Sequence, residues 1–537
     1  MNRNRYLLPA AFAVSLLTFI VYAGSFSGDF INYDDKSYLF EDPVIRQLDL
    51  PSLISMFASS HAGWWMPLTW LSFAVDYRIW GLNPFGFHLT NTLIHAANSA
   101  LVVAIAYMTL NRGKESGPDP ASCLPQLLFA AAAGLLWSLH PLRVESVAWI
   151  AERKDVLNGF FSLGAVLFYL RCHRGTESDK PVRADFYFSL ALFYLSLMAK
   201  SVSVVLPLIL MAVDLYPLKR LGRETIWQRV SEKIPFFAGS AMVVLGTFIT
   251  AARSNYLVSY EMFPLSQRLA VSGNAIIEYC RLFLIPAGLS PLNVIPDPIP
   301  SIYTFKALLT LAIIIAVILC RRLPSLQSCW FCFLLPFLPV LAFFQNGDQA
   351  FADHFTYLPA VAPSIAAAAL LLWLFERTKG VSRALSLFAM LSVLGMYVLL
   401  TVRMFPVWHS TESFWSRIIA IQPIAINYKE RGRNYHLDGR YRDAVADFSA
   451  AIERIPETLR PYSYNFYAFR AESLRCAGQY AEAVRDFDTA ISMLPHPVYF
   501  HHRGLALKAS GRAAEAESDF RRGGKVTTPV VWFDREL

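Results

Sequence analysis

Long apolar runs almost free of charge carry most of the first 400 residues of this 537-residue chain, and they decide what it can fold into. A backbone inside a bilayer must satisfy its own hydrogen bonds, so runs of this length and character form transmembrane helices. Residues 6 to 24 contain no Asp, Glu, Lys or Arg and follow the basic start Asn2 to Arg5. Ala23-Gly24-Ser25 has the residues of a signal-peptide cleavage site, but further spans follow immediately, which favours a retained first helix. Further runs lie near 86 to 110, 125 to 139, 156 to 170, 186 to 199, 200 to 216, 234 to 252, 304 to 320, 329 to 344, 357 to 375 and 384 to 402, giving about eleven helices. With 55% hydrophobic and 16% charged residues, the chain is too apolar for disorder, a fibre or an ordinary soluble enzyme. The expected class is an all-α polytopic membrane protein.

The formal charge of +8 would suggest nucleic acid in a soluble protein. Here topology accounts for it, and no nucleic-acid partner is expected. With a cytoplasmic N-terminus, the stretches 1 to 5, 111 to 124, 171 to 185, 217 to 233, 321 to 328 and 376 to 383 hold 18 of the 48 Lys and Arg residues in only 67 positions. This is the asymmetry of cytoplasmic loops, and an odd number of spans puts the C-terminus outside. Residues 264 to 286 are apolar but carry Glu278 and Arg281, so they form either an interfacial helix or a further span. Arg321-Arg322 favours the interfacial reading, because an added span would reverse every later loop. Seven cysteines, mostly in spans or cytoplasmic loops, imply no disulfide framework, and the Cys329-x-x-Cys332 spacing lies in an apolar run that suits packing sulfur.

After Trp408 the composition turns to mixed charge and small residues, and self-similarity begins. Gly432, Tyr435, Gly439, Tyr441, Ala444, Phe448, Ala451 and Pro456 are followed by Ala471, Gly478, Tyr480, Ala483, Phe487, Ala490 and Pro495, then by Gly504, Gly511, Ala516 and Phe520. The periods, 39 and then 33 residues, resemble those of tetratricopeptide repeats, in which small and large residues let two antiparallel helices interlock. The expected division is a transmembrane domain over 1–403, with a long first outer loop at 25–85, and a repeat solenoid over 404–537. Within the solenoid, a degenerate unit at 410–426 precedes repeats at about 427–460, 464–497 and 498–531. Such an array binds a peptide or partner protein on its concave face, or serves as a structural lid.

Chemistry is expected in the outer loops. Asp34 and Asp35 follow the first span directly, and paired carboxylates at a membrane surface suit a general base, a divalent-metal ligand or a solvated turn. Residues 43 to 57 carry apolar side chains at helical spacing and read as an amphipathic surface helix. The second outer loop, His140 to Asp155, would place Leu142, Glu145, Trp149 and Glu152 on one helical face beside the cations Arg143, Arg153 and Lys154. Those cations either grip a lipid phosphate or anchor a helix end. A third outer loop holds Gln345-Asn346-Gly347-Asp348 and then Asp353-His354-Phe355-Thr356-Tyr357-Leu358-Pro359, where His354 is a candidate phosphate or acceptor contact. Lys200, at the outer boundary, reaches phosphate or snorkels.

Together the Asp34-Asp35 pair, His-Pro-Leu-Arg-Val-Glu-Ser-Val-Ala-Trp with Arg153-Lys154-Asp155 following, Asp-His-Phe-Thr-Tyr-Leu-Pro, and the terminal repeats resemble the transmembrane and TPR-containing protein O-mannosyltransferase-like family and its bacterial relatives. That family belongs to the GT-C class of polytopic glycosyltransferases. The resemblance implies a GT-C-like membrane domain and transfer of a sugar, with mannose as a candidate, from a polyprenyl-phosphate donor to a protein hydroxyl. Transfer would occur outside the cytoplasm, with inversion. It implies Asp35, and after it Asp34, as the base, with Arg143, Glu145, Arg153, Lys154 and His354 serving donor phosphate or acceptor. The late motif has His354 where Arg is usual, so a permanent positive charge is missing there. No residue set demands a metal; a divalent ion at Asp34-Asp35 is compatible, and the cofactor is unknown. The implied location is a bacterial inner membrane with periplasmic repeats. The competing reading is a catalytically inactive membrane-anchored scaffold for envelope assembly; a transporter suffers from the absence of internal repeats and mid-membrane charge.

Overall fold

The computed structural model describes residues 6–111, 124–173, 183–222, 224–254, 259–344 and 349–524. The Gln345 to Asp348 motif, Cys123 and much of the basic stretches 1–5, 111–124 and 171–185 lie outside them. The chain divides into two compact units, Met1–His409 and Ser410–Leu537.

In the first unit, helices occupy each of the apolar runs named above, but not all are long enough to cross a bilayer. Five stretches have the length and apolarity of a span: Leu7–Ser27, Pro84–Leu110, Ile150–Cys172, Ser301–Leu319 and Gly380–Trp408. The number rises to seven if two bent pairs, Leu124–Ser138 with Pro141–Ala148 and Ile226–Glu232 with Ile234–Thr250, each count as one. This is a multi-pass membrane protein. Pro84–Leu110 and Ile150–Cys172 form its interior, with 50% and 61% of their apolar windows buried, whereas Ser301–Leu319 buries only 11%. Residues 264 to 286 form the helix Leu265–Leu284, in which Arg268 is buried and its guanidinium donates to the carbonyls of Phe263 and Phe343.

The interior is organised by a polar stripe. On the helix Pro84–Leu110, His88, Asn91, His95 and Asn98 recur every three or four residues, so they share one face, and all are buried. Asn91 donates to the carbonyls of Val147 and Trp149 at 3.2 and 3.3 Å. Asn98 donates to the Val156 carbonyl at 2.8 Å and to the Tyr357 hydroxyl at 2.9 Å, and His95 Nδ1 lies 2.8 Å from the same hydroxyl. In a region without water each of these bonds satisfies a group that would otherwise be costly to bury. The stripe thus fixes the second and third outer loops to one helix.

The first outer loop is more structured than its sequence suggests. The expected amphipathic helix at 43 to 57 is a short 3₁₀ turn, Pro43–Arg46, followed by the helix Leu50–Ala58, which Asp49 starts by accepting the Ser52 amide. A further helix, Pro67–Trp80, was not expected. The described residues contain one two-stranded antiparallel pair, Asn293–Val294 with Gln349–Phe351.

The second unit is a succession of helices: Thr411–Ile421, Ala425–Leu437, Tyr441–Glu453, Tyr464–Cys476, Tyr480–Met493, Pro497–Ala509 and Ala513–Gly523. Tyr435, Phe448, Phe469, Phe487 and Tyr499 fill its core. Gly439, Gly478 and Gly511 each follow a helix with φ between 75° and 83°, the left-handed conformation that turns the chain back. Three bidentate ion pairs recur at the same separation of 16 residues, Arg431–Asp447, Arg470–Asp486 and Arg503–Asp519, with N–O distances of 2.7 to 2.8 Å.

Candidate active site

The second outer loop does not make the continuous helix its spacing suggested. After His140, whose Nδ1 accepts the Leu142 amide, come the turn Pro141–Arg143 and the helix Val144–Ala148. Trp149 is extended, with φ −83° and ψ 119°, and the turn Ile150–Glu152 leads into the helix Arg153–Cys172. The single face expected for Leu142, Glu145, Trp149 and Glu152 is therefore broken at Trp149. All of Pro141 to Asp155 is buried inside the protein. Glu145 and Glu152 nevertheless meet, on either side of His354.

That histidine sits in the turn Asp353–Thr356. Its Nδ1 lies 2.8 Å from Glu145 Oε1, its backbone N–H donates to Glu145 Oε2 at 3.1 Å, and its Nε2 is 3.8 Å from Glu152 Oε1. Burial pushes the imidazole pKa down to about 3, although Glu152 pulls the other way, so His354 is neutral at physiological pH. It does not replace the positive charge that its position carries in the motif it resembles.

From Glu152 the network runs outward through two lysines. Lys154 Nζ is 2.8 Å from Glu152 and 3.4 Å from Asp34, and it donates to the Tyr38 hydroxyl at 3.3 Å. Lys200 Nζ is 2.5 Å from Asp155 and 3.4 Å from Glu152. Asp155, Lys200, His354 and Tyr357 line a small cavity with Asn158 and Phe355.

The two acids of the first loop have different surroundings. Asp35 is fully buried; its Oδ2 accepts the Ile31 amide and its Oδ1 the Ala151 amide, both at 2.8 Å. Burial pushes its carboxyl up to about 7, against the pull of these amides toward the charged form. Asp34 keeps 35% of its side chain exposed beside Lys154. Asp35 joins the first loop to the second, and Asp34 is the more exposed of the two.

The expected cations also separate. Arg153 is fully buried and held by Asp76 at 2.7 Å, the Phe87 carbonyl at 2.8 Å and Asn91, which leaves it no free edge for a phosphate. Arg143 is equally buried, yet it donates from Nη2 to Thr356 while its Nε and Nη1 have no partner. Asp76 and Asn91 escaped the sequence reading, and Thr356 and Tyr357 stood in the late motif without a role of their own. For Asn91 a signal existed, since His, Asn, His, Asn at helical spacing within an apolar run marks an inward polar face.

No protein-family model matches the chain. The chain is similar to protein O-mannosyl-transferases of the TMTC family, the group its motifs resemble. Over 164 residues it is 29% identical to Tmtc1 of Drosophila melanogaster, over 175 residues 32% identical to Tmtc2 of the same fly, and over 206 residues 27% identical to human TMTC4. These matches take in 29%, 31% and 34% of this chain but only 18%, 17% and 26% of the relatives' own length. Among solved structures, ArnT from Cupriavidus metallidurans, crystallised with undecaprenyl phosphate, aligns over 97% of this chain and 76% of its own at 14% identity, with a TM-score of 0.36.

Proposed function

We propose that this chain is a membrane glycosyltransferase that moves a sugar from a polyprenyl-phosphate donor to a hydroxyl of a protein on the extracytoplasmic side of the membrane. The observation that carries the proposal is Arg143, a buried guanidinium with two donor groups unpaired. Burying two guanidinium donors without hydrogen-bond partners is costly, and an anionic ligand is what repays it. Sequence similarity to enzymes named as protein O-mannosyl-transferases supports a sugar as the group transferred.

In this reading the hydroxyl oxygen of the acceptor attacks the anomeric carbon and passes its proton to the Asp34 carboxylate. The bond from the anomeric carbon to the phosphate oxygen breaks on the opposite face, which inverts the configuration. The electron pair leaves with the polyprenyl phosphate, whose charge Arg143 and Lys154 stabilise. Asp35 holds the first loop so that Asp34 faces the cations. The helices after Ser410 are tetratricopeptide repeats that present the protein acceptor, a reading the recurring Arg–Asp pairs support. The N-terminus is cytoplasmic, the repeats are periplasmic, and the membrane is a bacterial inner membrane.

The test is transfer from a labelled polyprenyl-phosphate sugar to envelope proteins, in membranes carrying the wild type or Asp34→Asn at equal expression. Transfer by the first and not the second is the expected result. Absence of transfer from both across a panel of donors, with the repeats still capturing a protein, would establish the scaffold reading instead.

A further inference from the structure

We propose that Ser55, His61 and Asp42 form a second chemical site, a nucleophilic serine in the first outer loop that cleaves carboxylic esters of apolar acyl chains. His61 Nδ1 lies 2.9 Å from Asp42 Oδ2, and His61 Nε2 lies 3.2 Å from Ser55 Oγ. A carboxylate only accepts, so the proton of the neutral imidazole sits on Nδ1 and the Nε2 lone pair faces the serine hydroxyl. Acid to imidazole to hydroxyl is the order of contacts by which a general base activates a serine.

The surrounding loop holds this order in place. Asp42 Oδ1 accepts the Val44 amide at 2.9 Å, which fixes the carboxylate while its other oxygen faces His61. His61 and Trp64 exchange both backbone hydrogen bonds, at 3.0 and 2.9 Å, around Ala62 and Gly63 with φ of 46° and 81°. A left-handed alanine is costly, and here it closes the two-residue turn that sets His61 against the helix Leu50–Ala58. Trp65 Nε1 donates to the Phe57 carbonyl at 2.9 Å and ties the turn to the end of that helix. The Trp70 ring meets the imidazole edge-on, with centroids 6.1 Å apart.

The site is reachable. Ser55 is half-buried, and the side chains of His61 and Asp42 are 12% and 15% exposed. Ile54 and Phe57 on the same helix and Trp64 beside His61 are exposed apolar residues, a surface suited to an acyl chain at the face of a membrane. Ser55 Oγ attacks the ester carbonyl carbon while His61 Nε2 takes its proton. The bond to the alcohol oxygen then breaks, and His61 returns the proton to the departing alkoxide. Water repeats the sequence on the acyl-serine, releasing the carboxylic acid and restoring Ser55. Solvent meets the oxyanion at this half-exposed surface, so turnover is slow and reactive esters are favoured.

The inference stands apart from the transferase reading, because neither sugar donor nor acceptor enters its test. Full-length protein in detergent is treated with a fluorophosphonate, the modified residue is located by mass spectrometry, and hydrolysis of p-nitrophenyl butyrate is followed alongside. The wild type is expected to carry the label on Ser55 and to hydrolyse the ester. Ser55→Ala should lose both with its melting midpoint unchanged. Asp42 acts through His61, so its role is read from a pH profile. In Ser55→Cys the introduced thiol should react with iodoacetamide well below the ordinary thiol pKa of about 8.5, and adding Asp42→Asn or His61→Gln should return the profile to that value. A wild type that carries no label on Ser55, or a Ser55→Cys thiol with an ordinary profile in the folded protein, overturns the site and leaves the three residues as a staple for the turn.

Discussion

The carboxylate of Asp35 accepts the backbone amide of Ala151 at 2.8 Å, 116 residues further along the chain. Its other oxygen accepts the Ile31 amide, so one buried side chain ties the start of the first outer loop to the turn that leads into Arg153–Cys172. Asp34, the neighbouring acid, is more exposed and faces the side chain of Lys154 at 3.4 Å.

This difference separates the two Asp→Asn variants. An amide at position 35 accepts only one of the two N–H groups and sets its own N–H₂ against the other. Asp35→Asn should therefore lower stability by about 1–3 kcal/mol, the cost of an unsatisfied buried donor, and lower transfer along with it. Asp34→Asn should abolish transfer with the thermal midpoint unchanged. Melting in detergent beside the transfer assay reads both effects, and equal melting losses in the two variants would refute the division of roles.

Arg153 offers a second separation. If it serves only to pair with Asp76, either single substitution leaves a charge buried and unpaired, at a cost of about 3–5 kcal/mol. The double variant Arg153→Met with Asp76→Leu removes both charges and should recover most of that loss, together with transfer. A double variant that is stable yet inactive would show that Arg153 reaches substrate.

Much of this architecture is written in apolar periodicity, and the exceptions have physical causes. Pro84–Leu110 and Leu124–Ser138 fall within two residues of the apolar runs that announced them, since nothing interrupts those runs. Pro67–Trp80 was missed because its buried Asp76 reads as a loop residue until Arg153, 77 positions away, is known to pair with it. The single helical face expected of the second loop fails because the extended Trp149 turns on its packing and not on its own preference. Which of Asp34 and Asp35 is reachable depends on a long-range amide, and local sequence does not record it.

In the second unit, Glu472 predicts a response to acid. Burial alone would raise its carboxyl, but hydrogen bonds from Arg475 at 2.5 Å and His502 at 3.0 Å outweigh burial and lower it from 4.5 to about 2. A carboxyl lowered on folding stabilises the native state above its unfolded pKa, and here that stabilisation, about 3 kcal/mol, is lost as the pH falls from 4.5 to 2. Hydrogen exchange in the helices Tyr464–Cys476 and Pro497–Ala509 should therefore accelerate across this window in the wild type. In Glu472→Gln the same helices should exchange faster at neutral pH, with little further change on acidification. Equal acid responses in the two proteins would remove Glu472 as the cause.

Arg143 gives the sharpest test of the donor site, because stability and function should move apart. With two unpaired N–H-bearing nitrogens buried, the guanidinium is a burden on the unliganded fold. Replacing it with an apolar side chain of similar length should leave the thermal midpoint unchanged or raise it. Arg143→Met should nonetheless lose about 10²- to 10³-fold in transfer, the usual cost of removing a group that stabilises charge on a leaving group. Arg143→Lys keeps the charge but not the forked donor geometry and should recover only part of the rate. A donor analogue carrying the lipid phosphate should raise the wild-type melting temperature and not that of Arg143→Met. If Arg143→Met melts well below the wild type and still transfers sugar, the guanidinium is a structural group and the phosphate is held elsewhere.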